Sequence, residues 1–150
     1  MILNNANVIA ILKPRKKDYS KLKKIKQITM TYKNAVLDDK ALQEGLKSIN
    51  PKFGDFCTRV AGEAWGLPII DQKTKALITG ALDVVNQDHV GPGNPFGAHV
   101  KMAMSQGATL EEIEELLVFT CVYAGFNKAA GCFGALGELK DELNKSFPPK

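Results

Sequence analysis

"ATLEEIEELLVFTCVYAG", residues 108–125, is the stretch whose reading decides the fold. Thr109 followed three residues later by Glu112 predicts a capping box, two side chains closing off the free amides of a new helix. Glu111 and Glu112 also set negative charge at the positive end of the helix. Ile113, Leu116, Leu117, Thr120 and Cys121 then recur at helical spacing and predict one buried stripe. The apolar run that follows the glutamates is far shorter than the roughly 20 residues a bilayer span requires. The segment is a capped, amphipathic, soluble-type helix.

Its neighbours read the same way. "DQKTKALITGALDVVNQ", residues 71–87, has Asp71 as N-cap and Ala76, Leu77, Ala81, Leu82 and Val85 at helical positions. "DDKALQEGLKSI" is a short amphipathic helix stopped by Asn50-Pro51, and "KFGDFCTRVAGEAW" ends at Gly66. "DHVGPGNPFG", residues 88–97, reads as a loop, and "AHVKMAMSQG" as a helix with Gly107 just past its end. In "KAAGCFGALGELKDELNK", Gly131, Gly134 and Gly137 at spacing three allow close helix–helix approach. No segment alternates for long as a strand does. The expectation is an all-α domain of about six helices, with enough apolar faces on short helices to form oligomers.

Charge divides the chain. Residues 1–29 carry eight Lys/Arg against one Asp, and residues 30–150 carry twelve against fifteen, giving +7 and −3. The expected organisation is a basic N-terminal extension, 1–29, ahead of a helical domain, 30–150, with Met30 as an alternative start. A basic tract can meet nucleic acid, anionic lipid or an acidic partner, but the acidic body argues against nucleic acid. Three cysteines, Cys57, Cys121 and Cys132, form no CxxC pair, so the reading is a reducing, cytoplasmic setting with no disulfide framework. Two histidines without clustered cysteines argue against zinc.

Taken together, "GEAWGLP", "DQKTKALITGALDVV" and "GAHVKMAMSQGATLEEIEELLVFTCVYAGFNKAAGCFGAL" resemble the carboxymuconolactone decarboxylase family, related to the alkylhydroperoxidases. The resemblance runs from about Asn50 to Leu143. It implies an alkylhydroperoxidase-like helical fold, a homo-oligomer (trimer or hexamer), and cofactor-free loss of carbon dioxide from a small carboxylated lactone or related enolisable acid. The alkylhydroperoxidase branch places a CxxC ahead of the histidine; here those positions hold Pro92 and Pro95, which supply no thiolate. The family's usual arginine after "GLP" is replaced by Lys75, a point charge without the planar fork.

The chemistry needs a cation, a hydrogen-bond donor and a general acid in an apolar cavity, and no metal or organic cofactor. His99, read at a helix N-terminus, is the candidate donor and proton carrier, kept neutral by the helix dipole. Glu63, beside Trp65, is the candidate acid with its pKa raised by burial. Lys75 is the candidate partner of a carboxylate on a small anionic substrate. His89 reads as a loop residue, and Tyr123 and Trp65 as core. The rival functions are a thiol peroxidase and a non-catalytic oligomeric binding protein.

Overall fold

The computed structural model describes residues 34–148, so the basic extension 1–29 lies outside the described residues. Six helices follow one another: α1 Lys40–Ile49, α2 Pro51–Trp65, α3 Gln72–Asn86, α4 Pro95–Ser105, α5 Leu110–Ala124 and α6 Phe126–Ser146. There is no strand among the described residues, and no helix there is long and apolar enough to cross a membrane.

The helix starts are written in side chains. Asp39, Asn50, Asp71, Asn94 and Thr109 each accept a hydrogen bond from the backbone N–H three residues on. Thr109 and Glu112 form the reciprocal box expected of them, with Thr109 N donating to Glu112 Oε2 at 2.9 Å. Asn50 closes α1 and opens α2, with Pro51 at the first helical position, where its missing N–H costs nothing. The same device corrects the expected start of α4. Asn94-Pro95 is an N-cap followed by a first-turn proline, so the helix begins at Pro95 and His99 sits more than one turn inside it.

The four helices α3–α6 pack into the core: α3 lies against α4, α5 and α6, and α6 against α4 and α5. Val84, Phe96, Val100, Leu117, Cys132, Leu136 and Leu143 are fully buried there. α1 and α2 form a hairpin whose close crossing requires Gly54, since a Cβ there would meet the Lys47 backbone at 2.6 Å. The hairpin is tied to α3 by Gln72, whose amide accepts from Ala35 N (2.8 Å) and donates to Trp65 O (2.7 Å).

The stripes differ from expectation in instructive ways. On α5, Ile113, Leu117 and Thr120 are buried, while Leu116 and Cys121 are half-buried. On α3 the buried set is Gln72, Ala76, Gly80, Asp83 and Val84, while Ile78, Leu82 and Val85 face outward. The core face of α3 therefore includes two polar residues and a glycine, and its aliphatic side chains lie elsewhere. Tyr123, expected in the core, is 77% exposed. Of the α6 glycines, only Gly131 meets anything: a Cβ there would lie 2.5 Å from His89 Nε2, so the close approach is to a loop histidine.

Lys73 of α3 donates to Glu112 Oε1 at 2.6 Å, binding the α5 cap to α3. This contact, with the Thr109 amide, holds the Glu112 carboxyl below its ordinary value of 4.5. A lowered folded pKa means stability that is complete above 4.5 and lost as pH falls through the folded value. Lys73→Met should therefore lower Tm at neutral pH, and the gap from the parent should close as pH is taken from about 4.5 to 2, as thermal denaturation across that range will show.

Candidate active site

Asp83 is 4% exposed, on the face α3 turns toward α4. A carboxylate in that setting is costly unless it is paired, and the partner is His99 of α4, with Nδ1 2.7 Å from Asp83 Oδ2. The spacing explains how: one turn after Phe96 enters the core, His99 falls on the same side of α4, next to buried Val100. A carboxylate can only accept, so the neutral imidazole carries its proton on Nδ1 and leaves a lone pair on Nε2. His99 Nε2 has no protein hydrogen-bond partner among the described residues.

This revises the expected role of the ring. With Nδ1–H committed to Asp83, a neutral His99 accepts at Nε2; to donate there it must be protonated, and Asp83 supplies the counter-charge. The helix dipole, strongest within the first turn, is a lesser influence on a residue one turn further in. Asp83 itself was not singled out in the sequence. The signal was an acidic residue directly before buried Val84, three and seven residues after the glycine and alanine of the same face.

His99 borders a narrow recess between helices, formed with Leu77 and Gly80 of α3, Phe96 and Val100 of α4, and Leu116 of α5. It is apolar apart from the imidazole. A wider open groove lies elsewhere, where α4 ends and α5 begins, along Met104, Thr109, Glu111, Asn144 and Phe147. That groove holds no histidine or cysteine, and Glu111 is its one charged side chain among the described residues.

Lys75 and Glu63 do not join His99 within one chain. Lys75 Nζ donates to the carbonyls of Trp65 (2.7 Å) and Leu67 (2.6 Å), bracing the end of α2. It lies eight residues before Asp83 on α3, about 12 Å along the axis. Glu63 is a surface carboxylate with its side chain 73% exposed, 3.9 Å from Arg59. The burial expected of it is not met, because Trp65 packs toward the core from a different side of α2. His89 is half-buried, with Nδ1 enclosed and unpartnered.

Cys132, wholly buried on α6, is the cysteine close enough to Asp83 to feel its charge. Burial, and then the Asp83 charge, push its thiol up to about 11. No group of three His, Cys, Asp or Glu side chains that could hold a metal occurs among the described residues.

The sequence profile of the carboxymuconolactone decarboxylase family matches residues 51–138, from the start of α2 into α6, a span that includes Asp83, His99 and Cys132. The chain belongs to this family. It is similar to 4-carboxymuconolactone decarboxylase of Acinetobacter baylyi (strain ATCC 33305 / BD413 / ADP1), with 28% identity over 110 residues that cover 68% of this chain and 79% of the relative. No solved structure gives a significant match.

A thiol at about 11 is roughly one part in a thousand thiolate at pH 8. Iodoacetamide at pH 8 should therefore leave Cys132 unmodified in the native protein and label it once denaturant is added, as peptide mass spectrometry will show.

Proposed function

We propose that the protein is a cofactor-free carboxy-lyase acting on a small carboxylated, unsaturated lactone of the 4-carboxymuconolactone type. The observation that carries this reading is the hydrogen-bonded pair of buried Asp83 and half-buried His99 at the edge of an apolar recess, in a chain of this family. In such a lactone the bond to the departing carboxylate breaks, and its electron pair passes through the ring double bond to the lactone carbonyl. Carbon dioxide leaves, and the resulting dienolate takes a proton at the carbon next to the carbonyl. His99, protonated at Nε2 and balanced by Asp83, hydrogen-bonds the oxygen where charge develops and then delivers that proton. The apolar walls favour a spread-out dienolate over a localised carboxylate.

A homo-oligomer, trimer or hexamer, is part of the reading. Phe119 and Tyr123 pack ring to ring on the outside of α5, at 5.1 Å between centroids, with Val118 and Val122 exposed beside them. Ile78, Leu82 and Val85 add an exposed aliphatic face on α3. Patches of this kind mark association surfaces. Lys75 keeps one of its three N–H groups for a substrate carboxylate, and Glu63 keeps both oxygens. Their participation depends on assembly bringing the α2–α3 corner of a neighbouring copy against the recess. Peroxide reduction finds no support, with prolines at 92 and 95 and Cys132 held as the thiol. We also propose a cytoplasmic location, on the three unpaired cysteines.

His99→Ala and His99→Gln should each lower turnover of 4-carboxymuconolactone by about 10²–10⁴, with carbon dioxide release as the assay. Asp83→Asn, which keeps an acceptor but loses the counter-charge, should lower kcat more than it raises KM. Unchanged turnover in both His99 variants would end the proposal. Sedimentation velocity should give a trimer or hexamer for the parent chain and smaller species for Val122→Glu.

A further inference from the structure

Gly80 occupies the middle of α3 on its buried face, in the wall of the recess that His99 borders. Glycine is the poorest helix former after proline, so at a buried mid-helix position it calls for a reason. Close packing usually gives one, as at Gly54 and Gly131, where a Cβ would come within 2.6 and 2.5 Å of a neighbour. Gly80 differs. A Cβ there would meet only Leu116 Cδ2, at 3.6 Å, an ordinary contact. Nor does the backbone demand glycine, since position 80 is regular helix and is not among the positive-φ residues. An alanine fits, and what it fills is the recess itself.

We infer that Gly80 is a specificity-determining residue: its missing side chain keeps open the space through which a small planar carbonyl group reaches His99. The inference rests on the reading of His99 as the working group. The space is small, about 10 Å³, and Leu116 lines it, so it admits a carbonyl oxygen and excludes a ring or a branched substituent. Position 80 thereby trades helix stability for access, and its neighbour Leu116 sets how much access results.

The test uses the full chain with Gly80→Ala, Gly80→Val and Gly80→Val combined with Leu116→Ala. Diethyl pyrocarbonate, itself a planar carbonyl electrophile, reports access to His99 without any assumption about substrate. Only two histidines occur, so peptide mass spectrometry separates His99 from His89. Gly80→Ala should raise Tm by about 2–4 °C and slow His99 modification, and Gly80→Val should slow it by about tenfold. Removing the Leu116 side chain should return the rate to near the parent value. The KM for 4-carboxymuconolactone should rise and recover in the same order. If Gly80→Val does not fold, Gly80→Ala decides. An unchanged rate at His99 in folded variants overturns the inference, as does a lower Tm in Gly80→Ala, which would assign the glycine to packing. If the reagent rates change as expected but no form turns over the lactone, the role of Gly80 stands and the proposed substrate falls.

Discussion

A carboxylate sealed among apolar side chains must have a partner, and Asp83 has one in His99. The pair fixes more than two side chains. Asp83 can bury only if α3 turns its polar stripe inward, and His99 can reach it only if α4 runs alongside at that level. Phe96 and Val100, one turn before and one residue after His99, then enter the core and lock α4 in place. Removing His99 leaves the Asp83 carboxylate buried without compensation, a larger loss than the pair contributes when whole. The same contact that sets the register of α3 against α4 also aims the imidazole, so fold and chemistry share one interaction.

The helices were legible because their signals are local. Caps at Asp71 and Thr109, the Asn50-Pro51 break and Gly107 act within four residues and need no knowledge of the rest of the chain. Which face of a helix is buried is a tertiary fact, and there the sequence misled. Leu82 and Val85 are more apolar than Gln72, Gly80 and Asp83, yet the latter face inward. Hydrophobicity orders residues by what they prefer, and α3 has apolar residues on two sides, of which the described residues cover one. His99 could be singled out from its setting, but Asp83, its partner, could not: sixteen residues separate them, and only the packing of α3 on α4 joins them.

The two other candidate residues show the limits of spacing from the opposite direction. Lys75 stands where a cation was expected, and two of its three N–H groups go to the carbonyls of Trp65 and Leu67. An ammonium with tetrahedrally arranged N–H groups suits two carbonyls from different peptide units, and the flat guanidinium is built for a carboxylate instead. Glu63 shares a helix with Trp65, but two residues apart on a helix means nearly opposite sides. Adjacency in sequence implied a shared apolar environment that helical geometry does not provide.

The joint between α5 and α6 bears on how this chain can change in length. Gly125 alone separates the two helices, with φ of 105°. There is no slack on either side of it. One inserted residue would rotate everything beyond it by about 100°, carrying Cys132, Leu136 and Leu143 out of the core and Gly131 away from the His89 ring. The connection between α3 and α4 is of another kind: eight residues, anchored by His89 against Gly131 and by Asp88 O accepting from Phe96 N, with Gly91 and Gly93 between them in open space. Insertions and deletions in descendants of this chain should collect in the second connection and be absent from the first, so that the family diversifies at the approach to α4 while the α5–α6 corner keeps a fixed residue count.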